Sequence, residues 1–170
     1  ASMAAVGLGA IAAGAGAVTV KVFGMTAQLE AVQQKAQIVF GDQLGLVKTW
    51  AQESGAAMGL SATEATTLAT NMGDLLIPMQ FTREEAAKMS TNVIGLSGAL
   101  SEWIGGTKSA AEVSSILAKA MLGEREQLKT LGISIMEKDV VQRVATMGMK
   151  EATGAAMQQA RAMATQKLIF

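Results

Sequence analysis

Four stretches of this sequence carry residue types that could do chemistry. Gly105-Gly106-Thr107-Lys108-Ser109 has the composition of a phosphate loop, in which glycine amides cradle phosphate oxygens and a lysine neutralises them. Such a loop needs a Gly, four residues, then Gly-Lys-Ser or Gly-Lys-Thr, placed after a strand. Here the glycines are adjacent and no strand pattern precedes them, so the stretch reads as a linker running into a helix cap at Ser109. Paired carboxylates stand at Glu84 with Glu85 and at Glu124 with Glu126, the grouping that general acid and base catalysis would use. All four fall in predicted first helical turns, where the helix dipole and capping already account for them. The stretch from Asp42, "DQLGLVKTWAQE", misses the spacing of a calcium-binding EF-hand loop.

Composition narrows the chemistry further. The chain has no His, which removes the commonest general base, the usual zinc ligand and the near-neutral pH switch together. It has no Cys, so disulfides and thiolate metal sites are excluded, and no Ser has a His to activate it. The Met residues read as flexible core filler, and Trp50 and Trp103 stand too isolated to make a stacking platform. Lys plus Arg equal Asp plus Glu at 14 each, with no basic stripe, which leaves no electrostatic footprint for sequence-specific nucleic-acid binding. The reading is of a non-enzyme with no cofactor.

The elements that would position any site are helical. Half of the residues are apolar, mostly Ala, Leu, Met, Val and Ile, Pro occurs once at Pro78, and alternating β-branched runs are missing. The fold class expected is all-α, an array of short capped helices forming a helical bundle or an extended helical assembly. Residues 1–24 form an Ala/Gly-rich segment whose first 20 residues are uncharged, near the roughly 20 residues that span a bilayer as a helix. It lacks the positive n-region of a secretory signal, and its small residues equally suit close packing between helices. Residues 25–59 read as a long amphipathic helix, with Leu29, Val32, Ala36 and Val39 on one face, broken near Gly41. Asp42 is placed to cap its second half and Gly59 to close it.

Residues 61–170 read as a folded helical region. Ser61 with Glu64, Thr82 with Glu85, and Ser109 with Glu112 each set a hydroxyl three residues before a Glu, the capping-box spacing. Helices are predicted over about 61–77, ended by Pro78, over 82–104, ended by Gly105-Gly106, and over 109–122, ended by Gly123. The segment "GEREQLKTLGISI" from Gly123 to Ile135 then reads as a two-turn helix: Glu124 and Glu126 in its first turn, Leu128 and Leu131 inward, Lys129 near its end and Gly132 as a left-handed cap. Ile133 and Ile135 follow as an extended connector plugged into the core. Two more helices are expected over 137–147 and 150–168, separated at Gly148.

Read together, "VFGDQLGLVKTWAQESGAAMGLSATEATTLATNMGDLL", "TREEAAKMSTNVIGLSGALSEW", "SAAEVSSILAKAMLGEREQLKTLGISIMEKDV" and "MGMKEATGAAMQQARAMATQKLIF" resemble the helical region of tape-measure proteins of long-tailed, siphovirus-like bacteriophages and prophages. The resemblance covers about residues 38–170. It is strongest over Ala120–Ile135, where Gly123-Glu124, Leu128-Lys129 and Gly132-Ile133 sit as that family places them. Gln80-Phe81-Thr82 departs from it, standing where a Gly-Phe-Ser or Gly-Leu-Ser turn is common.

The resemblance implies a structural role in the virion, with no catalytic residues. Several copies of such a chain lie in the tail-tube lumen, set tail length, help assembly together with tube and tip proteins and tail assembly chaperones, and leave before the DNA, with contact to the host membrane at ejection. The missing initiator Met at Ala1 and the apolar stub "QKLIF" at Phe170 read as a piece of a longer chain. A ruler made of one unbroken helix would run about 1.5 Å per residue, roughly 250 Å for this length. The repeated caps predict a folded-back domain instead. The alternative from another class is a membrane-active, pore-forming or toxin-like helical protein in which residues 1–20 insert.

Overall fold

A computed structural model describes residues 29–170; the expectations for residues 1–24 lie outside them. The described residues are mainly helical, with no strand among them. Helical backbone over 29–40 (α1) leads to Leu44–Ser54 (α2), Ala62–Leu76 (α3), Arg83–Trp103 (α4), Ala110–Leu122 (α5), Glu137–Thr146 (α6) and Gly154–Ile169 (α7). Short 3-10 turns lie at Gly41–Gln43, Ala56–Met58, Ile77–Met79 and Glu126–Leu131, while α4 to α5 and α6 to α7 are linked by other turns.

The helix starts are set locally. The Ser61 and Thr82 hydroxyls each accept the backbone N–H three residues on at 3.2 Å, Ser109 does so at 3.3 Å, and the Glu at that position returns a carboxylate to the cap residue's own N–H at 2.8 to 2.9 Å. Each such cap is worth about 1 kcal/mol. Met136 has only half of the arrangement: its N–H donates to the Asp139 carboxylate at 2.8 Å, but a thioether cannot serve as a strong acceptor in return. Hydroxyls inside the helices bond to their own backbone, Thr70 and Ser97 to the carbonyl four residues back at 2.7 and 2.8 Å, so they can be buried.

Several boundaries differ from the sequence expectation. Asp42 does not cap α2: it lies exposed inside the 3-10 turn, and Gln43 takes the cap position without a side-chain bond. The break itself comes from Gly41, whose φ of +54° turns the chain out of α1. Gly59 closes the 3-10 turn Ala56–Met58 and not α2, which ends at Gly55. The helix after Gly148 starts at Gly154, four residues later than expected from 150, because 150–153 is spent in a turn. Glu124 stands ahead of the turn it was expected to open, which begins at Glu126 and is 3-10 and not α.

Two helices are buried on both sides, and this organises the packing. Along α4, Ala87 and Ile94 face a core shared with Ala36, Val39, Phe40, Val47 and Ala69. The adjacent Ala86, with Met89 and Val93, faces a second, larger core with Leu76, Val113, Leu117, Leu128 and Leu131. Along α7, Ala162 turns to the larger core while Ala160 and Ala164 meet Val140 and Val144 of α6. Small side chains on opposite sides of these helices let both neighbours approach, which is where the chain's Ala content is used.

The departure at Gln80 has a backbone consequence. Among the described residues it is the single non-glycine with positive φ, at +66°, closing the turn Ile77–Met79 with its N–H on the Ile77 carbonyl at 3.0 Å. A side chain in the left-handed region costs about 1–3 kcal/mol, against about 0.4–1 kcal/mol of added unfolded-state freedom for Gly. Gln80→Gly is therefore expected to raise stability by about 1 kcal/mol, read as a higher urea midpoint at unchanged slope. A lower midpoint would show that the turn is not strained.

Candidate functional site

The stretch that carries the resemblance folds as two glycine closures with a 3-10 turn between them. Gly123, at φ +109°, ends α5, with its N–H on the Ala120 carbonyl at 3.0 Å and the Glu124 N–H on the Lys119 carbonyl at 2.9 Å. This pair of bonds satisfies carbonyls that a helix end would otherwise leave orphaned. The 3-10 turn follows. At three residues per turn, positions three apart eclipse, so Leu128 and Leu131 descend side by side into the larger core and are fully buried. Lys129 stays outside, paired with Glu126 at 2.8 Å. Gly132, at φ +76°, closes the turn, and the Ile133 N–H donates to the Leu128 carbonyl at 3.0 Å, leaving Ile133 half-buried against the core. A Cβ on Gly132 would lie 3.1 to 3.2 Å from the Trp103 ring, so this glycine also makes room for the end of α4.

Between Glu124 and Glu126 sits a residue the sequence reading passed over. The Arg125 side chain is 9% exposed, and its Nη1 donates to Glu137 Oε2 at 2.9 Å. The other oxygen of the same carboxylate accepts from Arg161 Nη2. One glutamate at the start of α6 thus ties the turn Glu126–Leu131 to α7. The two arginines, with Met79, Met121, Leu122, Gly123 and Gln158, line a cleft of about 150 Å³. Arg125 is one of the lining residues, and two of its donor atoms, Nε and Nη2, are fully buried without a partner.

The arrangement explains the acidity of Glu137. The Arg161 hydrogen bond, helped by that of Arg125 and opposed by partial burial, holds its carboxyl below the ordinary 4.5. A lowered carboxyl contributes stability that is complete above its unfolded value and disappears as pH falls through the folded one. Glu137→Gln is expected to cost about 1 kcal/mol near neutral pH, because it removes the charge that a half-exposed carboxylate sets against a buried guanidinium while leaving an oxygen that can still accept, and to cost little at low pH. Urea midpoints of both proteins across about pH 7 to 2 would check this, and a gap that did not narrow in acid would exclude the charge pairing as its source. Part of the acid sensitivity would remain in the variant. Glu64 and Glu112 are also lowered, mainly by the Ser61 and Ser109 backbone hydrogen bonds, and Glu84 mainly by its hydrogen bond from Lys88.

The residues singled out from sequence fall into separate groups. Gly123, Leu128, Lys129, Gly132 and Ile133 share the segment just described, with Glu124 at its exposed edge. Ser61 with Glu64, Thr82 with Glu85, and Ser109 with Glu112 stand at three different helix starts and do not converge. Of the carboxylate pairs, Glu84 is engaged with Lys88 at 2.6 Å, Glu85 with Thr82 and Glu126 with Lys129. In the glycine linker, the Thr107 hydroxyl donates to the Ile104 carbonyl and the Lys108 carbonyl accepts from Ser101. Arg125, Glu137 and Arg161 had one signal in the sequence: a cation flanked by two glutamates just after a helix end, where it has no local partner.

Among the described residues, no group of three or more His, Cys, Asp or Glu is placed to hold a metal, and no helix is long and apolar enough to cross a membrane. The fold and this cleft define the chain as an all-α helical assembly built around short, capped helices. Comparison with protein-family models, with curated proteins and with solved structures finds no match to this chain.

Proposed function

We propose that this chain is a folded helical portion of a tail tape-measure protein, acting in tail assembly and in release of the genome and not as the length-setting rod itself. The observation that carries the reading is the segment Ala120–Ile135. Its resemblance to that family is the strongest in the sequence, and its glycines and leucines are the residues that shape the closures at Gly123 and Gly132. The folding back of α3, α4 and α5 on one another favours a domain over a ruler, since a rod gains its length from helix that does not return. Its partners on this reading are further copies of itself, tube and tip proteins, and tail assembly chaperones, with the host envelope met at ejection.

The test is an in-frame deletion of residues 61–106 from the parent gene, with tail length measured by electron microscopy. Tails of unchanged length that fail to inject, or tails that never assemble, are expected. Tails shorter by about 1.5 Å per deleted residue would make this segment part of the ruler. Normal, infective tails would overturn the assignment. The rival membrane-active reading rests on residues 1–20, outside those described, and predicts liposome leakage by the isolated chain that a charge introduced at Ile11 or Ala15 abolishes.

A further inference from the structure

The cleft between Arg125 and Arg161 has more positive charge than its own residues offset. Two guanidiniums share one carboxylate, that of Glu137, while Glu126 is occupied with Lys129. The surplus is concentrated on Arg125, whose side chain is more than nine-tenths buried. Its bond to Glu137 uses Nη1, and the donors without a partner are Nε and Nη2. These two belong to the same edge of the planar guanidinium, from which two N–H groups project in parallel, the fork that a carboxylate fills with both oxygens. Burying that edge unpaired is costly, so its retention calls for a partner.

The lining indicates what the partner is. Met79, Met121 and Leu122 supply apolar walls, Gln158 and Arg161 supply polar contacts one helical turn apart on α7, and the volume of about 150 Å³ suits a carboxylate on a short methylene stem. We infer that the Arg125–Arg161 cleft is a carboxylate-binding site, which receives either an acidic side chain of another protein segment or a small free carboxylic acid. The two donors are closed off from water, so entry requires the lining to shift, and the unbranched Met79 and Met121 side chains can do so. The site stands on this geometry alone and does not depend on a role in a phage tail.

The experiment is an NMR titration of the whole chain, following the Arg125 Nε–H signal at constant ionic strength. The probes are acetate, N-acetyl-glutamate amide, inorganic phosphate and chloride. A saturable shift with the two carboxylates, and none with chloride, is expected. Tighter binding of the glutamate derivative assigns the site to an acidic side chain, and equal or tighter binding of acetate assigns it to a free acid. No saturable shift, or phosphate binding more tightly than either carboxylate, would overturn the inference. Arg125→Lys keeps the charge but removes the fork, and should weaken carboxylate binding by about tenfold or more. Because that variant can also disturb the turn, Gln158→Glu provides a second arm that needs no loss of a buried group. A carboxylate built into the cleft should raise the thermal midpoint and abolish the titration, whereas an unchanged midpoint with intact binding would place the anion elsewhere.

Discussion

Truncating Phe40 to Ala is expected to remove about 3–5 kcal/mol of stability, the largest loss from any single side chain in the smaller core. The ring is fully buried at the end of α1, just before Gly41 turns the chain, and it packs with Val47, Ala69 and Ile94 from three other helices. No smaller side chain can hold those helices at the same spacing, so a cavity remains. The reason it fits lies across the interface at Gly73 of α3. A Cβ there would stand 2.6 and 2.7 Å from two ring carbons and 2.8 Å from a Val39 methyl, closer than packed carbons approach. Gly73→Ala should therefore destabilise by about 1 kcal/mol, overpacking of about 1–3 kcal/mol outweighing the helix-propensity gain of about 1 kcal/mol. In the Phe40→Ala background two of the three close contacts are gone, and the same substitution should become neutral or stabilising. Urea denaturation of the two singles and the double gives the coupling directly. Additive effects would mean that ring and glycine do not meet in solution.

The second large effect is expected at Leu128. Its side chain is fully buried in the larger core beside Leu131, and Leu128→Ala should cost about 2–5 kcal/mol. Gln127→Ala, one residue away and exposed, should stay within about 0.5 kcal/mol. The Leu128 N–H donates to the Arg125 carbonyl at 3.1 Å, a backbone bond that alanine keeps, so the loss comes from the cavity and not from a broken turn. A loss under about 1 kcal/mol would show that the turn Glu126–Leu131 is not anchored through this side chain.

Local chemistry explains why the helix starts could be read in advance. Ser61, Thr82 and Ser109 close their boxes with residues three positions on, and Gly123 and Gly132 turn left-handed beside the carbonyls they release. The same short range explains the errors. Asp42 has the residue type of a cap, but Gly41 winds it into a 3-10 turn first. Leu128 and Leu131 are three apart in either kind of helix, so their spacing alone does not separate an α-turn from the 3-10 turn observed.

The helical class, the three capping boxes and the glycine closures are legible in the residue order, because each depends on partners within about one turn of chain. The cleft and the close approaches come from packing between distant segments. Glu137 lies 12 residues from Arg125 and 24 from Arg161, and Gly73 lies far along the chain from the ring of Phe40. Those contacts depend on how α3, α6 and α7 pack against their neighbours. That packing follows from the shape and volume of side chains meeting across helices, quantities that a local residue spacing does not contain.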